Sequence, residues 1–312
     1  MYKVTVVGAG MVGATTAMRV AEEGYAEVVL LDVRADLARG KALDISQALS
    51  LKPSASRVKG GDDYRLAEGS RVAVVAAGMA RRPGMSRTDL LESNAGVVRS
   101  VVGSLKEAAP DCALVVVTNP LDEMTYLAWR MTGWDRHRVM GMAGLLDGCR
   151  LAFFASQELG IPPWQVHPVV LGSHGDGMLP LARFTTAAGV PLEQLLPGDK
   201  LREVEERTRH GGAEIVSLLG EGSAYFAPSA CVARMVRSLL LDDGFRTAAS
   251  VPLQGEYGLH DVCLGVPVVL GAGGWREVVE LPLLPTERGV MEENAERIRE
   301  NMRKLDAWLE SP

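Results

Sequence analysis

The chain is poor in cysteine: Cys112, Cys149, Cys231 and Cys263 are scattered through 312 residues with no C-x-x-C pair. That excludes a disulfide framework and predicts buried, reduced thiols in a cytoplasmic protein. No histidine or cysteine spacing suggests a metal site. Long apolar runs are missing as well. Val72 to Ala77 and Ala113 to Val117 are strand-length, far short of the ~20 residues that cross a membrane as a helix. Excess positive charge is also absent: 33 Lys and Arg stand against 39 Asp and Glu, net -6. This argues against a general nucleic-acid binder and confines anionic ligands to local basic pockets. The N-terminus runs straight into Val4-Thr5-Val6-Val7-Gly8, so a strand and not a cleavable signal is expected there. There is no low-complexity tract, repeat or long linker.

What is present is an alternation of short β-branched runs and helical patterns, the signature of a parallel sheet with crossover helices. Strands are predicted at Lys3 to Val7, Glu27 to Leu31, Arg71 to Ala76, Ala113 to Thr118 and Val139 to Ala143, with helices at Met11 to Glu23, Ala35 to Leu51 and Leu90 to Ala109. From Asp147 the pattern changes. A helix through Leu159, a strand over Val166 to Leu171, and helices at Asp199 to Leu219 and Ser223 to Leu241 follow. Strands at Ser250 to Gly255 and Val266 to Leu270 flank a turn-rich segment. Thr286 to Leu309 reads as an amphipathic helix burying Val290, Ile298, Met302 and Leu305. The predicted fold class is α/β: a Rossmann-type doubly wound parallel sheet over residues 1–145, followed by an α+β substrate domain over 146–312.

Gly8-Ala-Gly10-Met-Val-Gly13 ends a strand and opens a helix, the context in which G-x-G-x-x-G binds a dinucleotide pyrophosphate. Asp32, 19 residues after Gly13, ends the second strand. There it can accept ribose hydroxyls and repel a 2′-phosphate, which favours NAD over NADP. Arg34 reads as a solvated surface residue. Gly78-Met-Ala-Arg81-Arg82-Pro83-Gly84-Met-Ser-Arg87 is a glycine- and proline-containing loop with three arginines, suited to neutralise a carboxylate and polarise a carbonyl as it closes. Asn119, before Pro120, ends another strand on the same side of the sheet. In isolation that pair is simply a turn.

His174, in Leu171-Gly-Ser-His-Gly-Asp176, is the candidate acid/base. A buried Asp147 would orient its ring and stabilise the imidazolium. Arg150, at i+3 from Asp147, carries a planar fork suited to a carboxylate. His137, His167, His210 and His260 have no such neighbourhood, and Asp176 reads as a turn residue. A nicotinamide site, an acid/base pair and these arginines together describe hydride chemistry on a small acidic substrate. A non-catalytic NAD sensor would need Gly8 to Gly13 and Asp32 but not His174, Asp147 and the arginines.

These motifs, in this order, resemble the NAD-dependent 2-hydroxy-acid dehydrogenases of the lactate/malate group, and most of all the bacterial, malate-specific branch that is lactate-dehydrogenase-like. Matching stretches are Gly8 to Gly13, Arg81 to Leu91, Thr118 to Pro120, Leu146 to Arg150, Gly172 to Asp176, Gly211 to Val216 and Gly255 to Gly258. The resemblance implies His174 as proton acceptor paired with Asp147. It implies Arg150 on the C1 carboxylate, Arg87 on the C2 oxygen, and Asn119 on substrate and cofactor. Gly8, Gly10, Met11, Val12, Gly13, Asp32, Asn94 and Val117 would form the NAD site. Arg81 would pair with the second carboxylate of malate or oxaloacetate, where lactate enzymes usually carry glutamine; Arg82 leaves that register open by one residue. The resemblance further implies a homodimer or homotetramer, with contacts near Leu37 to Leu51 and Ser223 to Leu241, and a place in the tricarboxylic acid cycle. Gly148 and Cys149 depart from the small or hydroxylated residues common there, and Gly177 from a usually larger one. These departures are expected to loosen the helix start or the wall of the site.

Overall fold

The computed structural model describes residues 1–79 and 87–309. Six parallel strands, β1 (Tyr2–Val7), β2 (Ala26–Leu31), β3 (Val58–Gly61), β4 (Val72–Val75), β5 (Ala113–Val116) and β6 (Val139–Gly141), lie in the order β3-β2-β1-β4-β5-β6. They are joined by α1 (Met11–Glu22), α2 (Ala35–Leu49), α3 (Arg87–Ala108) and α4 (Leu121–Thr132). Strands β4 and β5 are buried at every residue, as expected where helices cover both faces of a parallel sheet. The chain reverses its winding between β1 and β4, so a crevice opens at their carboxyl ends, the place where such sheets bind ligands. Helix α4 is not among the helices expected from the sequence; its residues 121–128 are all covered, Asp122 and Glu123 included.

The second half continues the same sheet. It comprises α5 (Gly144–Leu159), β7 (Val166–His167), β8 (Val170–Gly172), β9 (Met178–Pro180), β10 (Thr186–Ala187), β11 (Val190–Pro191), α6 (Leu192–Leu195), α7 (Gly198–Leu219), α8 (Phe226–Leu241), β12 (Arg246–Gln254), β13 (His260–Gly271), β14 (Gly274–Val278) and α9 (Pro285–Leu309). β12 pairs with β6 at Ser250 and Gly141, and the sheet runs on antiparallel through β13, β8 and β9, with β14 also on β13. The single strand expected over Val166 to Leu171 is in fact two. Pro168 has no N–H to give to a ladder, and the pieces part company: β7 joins β10 in a small separate sheet, while β8 joins β13.

In α9, Ile298, Met302 and Leu305 are buried as expected, but Val290 is not in their row. The buried row is Met291, Ala295, Ile298, Met302 and Leu305, at spacings of four and three, and Val290 lies at its edge, half-buried. Replacing Met291 by Ala removes a fully buried side chain and should cost about 2–5 kcal/mol in denaturant unfolding. Val290→Ala should cost less than about 1 kcal/mol. The reverse ranking would overturn this phase.

Candidate active site

The glycine turn between β1 and α1 meets the needs of a dinucleotide. Gly8 holds φ at +103°, a left-handed value suited to glycine. At Gly13 a Cβ would come within 1.8 Å of the Gly8 carbonyl, so a larger residue would prise helix from strand. A Cβ on Gly10, by contrast, would meet nothing within 4 Å; beyond it lies the open approach to the N–H groups of Met11, Val12 and Gly13. The first turn of α1 has no acidic residue to repel a pyrophosphate. Asp32 ends β2 beside this turn, with Oδ2 accepting from the Ala9 N–H at 2.7 Å and Oδ1 from the Arg34 N–H at 3.0 Å. Its charge adds to burial in pushing the Tyr64 hydroxyl up to about 12. Lys41 on α2 donates to the Ala9 carbonyl at 2.8 Å and braces the turn from outside.

Across the crevice, Asn94 is buried. Its Oδ1 accepts from the Met79 N–H at 2.7 Å, and its Nδ2 donates to the Met79 and Asn119 carbonyls at 3.1 and 2.7 Å. It thus holds the ends of β4 and β5 together, and both amide hydrogens are engaged within the protein. Thr118 adds a bond to the Ala77 carbonyl at 2.6 Å. Val117 is half-buried behind it, and Asn119 is exposed. Asn119 lines a cavity of about 350 Å³ together with Thr88, Asp122, His174, Asp176 and Arg297.

At that cavity the two ends of the second half converge. Asp147, on the first turn of α5 and 2 % exposed, accepts from both neighbours. His174 Nδ1 stands 2.9 Å from Oδ2, and Arg150 Nη1 donates to Oδ1 at 3.0 Å. Burial opposes the imidazolium of His174, but the charge and hydrogen bond of Asp147 outweigh it and hold the imidazole above its ordinary value. The Asp147 bond takes Nδ1 and leaves Nε2 for a substrate. Arg150 lies against Gly211 and Gly212 of α7, where a Cβ on Gly212 would stand 3.1 Å from Nη2. Its Nε is buried with no partner among the described residues, an unfilled donor beside the acid/base pair.

Several residues that brace this arrangement carry no local sequence signal. Asp122, two residues after Pro120, accepts the His174 backbone N–H at 2.9 Å and the Ser250 hydroxyl at 2.6 Å. Burial and the adjacent Glu123 push it up to about 7. Asn294 of α9 donates to the Gly177 carbonyl at 2.7 Å, and Arg297 donates to Asn294 Oδ1 at 3.0 Å and to Ser173. Gly177 is therefore a fit and not a looseness: a Cβ there would stand 2.1 Å from Asn294 Oδ1 and 2.3 Å from Ser173 Oγ. Gly148 is close-packed in the same sense, its Cβ position 3.1 Å from Pro168 Cγ. Cys149 corrects another expectation. It is exposed, whereas Cys112, Cys231 and Cys263 are buried. Arg81 and Arg82 lie outside the described residues; Arg87 opens α3, and its side chain is not described.

Two sequence profiles cover this architecture. The lactate/malate dehydrogenase NAD binding domain matches residues 2–141, and the lactate/malate dehydrogenase alpha/beta C-terminal domain matches 145–308. The chain belongs to the lactate/malate dehydrogenase family. Its NAD-binding domain is the one holding the glycine turn and Asp32, and its chemistry is NAD-dependent oxidoreduction of a 2-hydroxy acid. It is 46% identical over 298 residues to the malate dehydrogenase of Thermomicrobium roseum, covering 96% of each chain. The solved malate dehydrogenase of Salinibacter ruber superposes with a TM-score of 0.93 at 41% identity, covering 98% of each chain. The lactate dehydrogenase of Cryptosporidium parvum, solved with lactic acid and cofactor, superposes with a TM-score of 0.94 at 32% identity, covering 100% of this chain and 99% of that one.

Gly177→Ala should displace Asn294 and the His174 loop. We expect a stability loss of about 1–3 kcal/mol together with a lower kcat for NADH-dependent reduction of a 2-oxo acid. Unchanged stability and turnover would show that this contact does not fix the loop.

Proposed function

We propose that the chain oxidises (S)-malate reversibly to oxaloacetate, with bound NAD as the hydride acceptor. The observation that carries this reading is the buried Asp147 carboxylate, held at once by His174 and Arg150. His174 takes the C2 hydroxyl proton at Nε2 as the alcohol is oxidised, and Asp147 stabilises the imidazolium. In reduction the same imidazolium returns its proton to the C2 oxygen. Arg150 holds the C1 carboxylate through the donors that Asp147 does not use. Arg87 polarises the C2 oxygen, and Asn119 donates to the substrate from the cavity wall. Arg81 pairs with the C4 carboxylate; the support for this is its place in the loop sequence and the malate dehydrogenases at about 45% identity. Asp32 takes the ribose hydroxyls, and Gly8 to Gly13 with Val117 frame the cofactor, while Asn94 acts through the backbone it anchors.

Residues 1–145 then serve as the cofactor unit and 146–312 as the substrate unit. A homodimer or homotetramer is supported by exposed Leu43 on α2 and Phe226 on α8, at 61% and 63% exposure, which is costly for large apolar side chains left in water. Four free cysteines support a cytoplasmic setting. Among the described residues no helix is long and apolar enough to cross a membrane.

The deciding experiment is NADH oxidation with oxaloacetate and with pyruvate, in the wild type and in Arg81→Gln. Oxaloacetate should be preferred, and the substitution should reduce that preference about 10–100-fold, the worth of one charge-assisted pair. Equal or faster turnover of pyruvate by the wild type would move the substrate to lactate.

The pH dependence provides a second test. Malate oxidation needs neutral His174, whose pKa Asp147 raises, so kcat/KM for oxidation falls as pH drops through that raised value. For reduction it falls as pH rises through the same value. Asp147→Asn removes the lift and leaves the burial, so both inflections should move to lower pH. Activity should fall by about 10²–10⁴-fold. An unmoved inflection would remove His174 from the role of titrating group.

A further inference from the structure

The exposed Cys149 does not stand alone. Its sulfur lies 3.8 Å from the sulfur of Cys231 on α8, in van der Waals contact, while a disulfide bond needs about 2.05 Å. The two sulfurs would have to approach by about 1.8 Å to form the bond. The two thiols differ in access: Cys149 is exposed, Cys231 buried. They also differ in chemistry. The hydrogen bond from Cys231 holds the Cys149 thiol below its ordinary value against the opposing effect of burial. That bond and burial push Cys231 well above its own value. An accessible sulfur that ionises first, backed by a buried one in contact, is the arrangement of an attacking and a resolving thiol.

The placement of the pair gives the bond a consequence. Cys149 lies between Asp147 and Arg150 on the first turns of α5. Cys231 lies on α8, which packs on α1, with Ser229 accepting from Arg19 at 3.1 Å. Closing the bond would tie the helix holding the acid/base carboxylate to the helix that backs the cofactor turn.

We propose that Cys149 and Cys231 form a reversible thiol–disulfide pair through which a low-molecular-weight disulfide oxidant switches off the adjacent Asp147–Arg150 site. The Cys149 thiolate attacks one sulfur of the oxidant, breaks its S–S bond and releases one thiol, leaving a mixed disulfide on Cys149. Cys231, deprotonated to solvent, attacks the Cys149 sulfur and expels the second thiol. Both cysteines are oxidised by one electron each, and the oxidant is reduced to two thiols.

The test exposes the reduced, assembled protein to oxidised glutathione. Using the assembled protein matters because Phe153, one helical turn beyond Cys149, is also exposed, and a subunit contact there would shield the thiol. Intact mass should fall by two hydrogens with no glutathione retained, and peptide mapping should link Cys149 to Cys231. Oxaloacetate-dependent NADH oxidation should drop at least about tenfold, the effect of a misplaced catalytic group, and return with dithiothreitol. Cys231→Ser should stop at a glutathione adduct on Cys149. Cys149→Ser should keep the activity of the reduced wild type and give neither adduct nor inactivation. A stable adduct on the wild type, a link between other cysteines, no reaction, or a bond formed without loss of activity would each overturn the proposal. The activity arm rests on the malate reading; the mass and mapping arms do not, so failure of one reading is distinguishable from failure of the other.

Discussion

The structure turns on one buried carboxylate. Asp147 is almost wholly removed from water, and an ion there is tolerated only when paired and hydrogen-bonded. Both oxygens are taken, one by His174 and one by Arg150. In the proposed mechanism this single requirement couples proton transfer to substrate binding. The group that lifts the basicity of the imidazole also orients the guanidinium proposed to hold the substrate carboxylate. Much of the second half can be understood as support for that pairing: Gly211 and Gly212 admit the Arg150 side chain, and Pro168 abuts Gly148 beneath the start of α5.

The histidine reaches Asp147 because three other elements hold its loop. Asp122 on α4 fixes the His174 backbone and is itself fixed by Ser250 on β12. Asn294 and Arg297 on α9 hold the same loop from the far side. The helix that ends the described chain is thus part of the site, although it is distant from Asp147 in sequence. The loop has little regular structure of its own, and long-range hydrogen bonds from rigid helices give it the definition that catalysis requires.

The departures from family pattern differ in their surroundings. A Cβ at Gly177 would collide with Asn294 and Ser173, and one at Gly148 would crowd Pro168. Cys149 has a different character, because its neighbour is a second thiol. It places a redox-capable pair within two residues of the central carboxylate.

The sequence by itself determined the parallel sheet, the glycine turn and Asp32, and it singled out His174, Asp147 and Arg150, whose side chains the structure brings together. Each of these is encoded locally, by strand and helix periods, by the spacing of glycines, or by a helical i+3 relation. Tertiary structure alone decided the joining of β6 to β12 into one sheet and the break at Pro168. It alone decided that Met291 and not Val290 opens the buried row of α9, and the recruitment of Asp122, Ser250, Asn294 and Arg297. Those contacts link residues tens to more than a hundred positions apart. The covering of Asp122 and Glu123 at the start of α4, and the choice between the neighbours Val290 and Met291 in α9, depend on what packs against those helices. The pairing of Cys149 with Cys231 belongs to the same class: 82 residues separate the two in sequence, and only the packing of α5 on α8 brings them into contact.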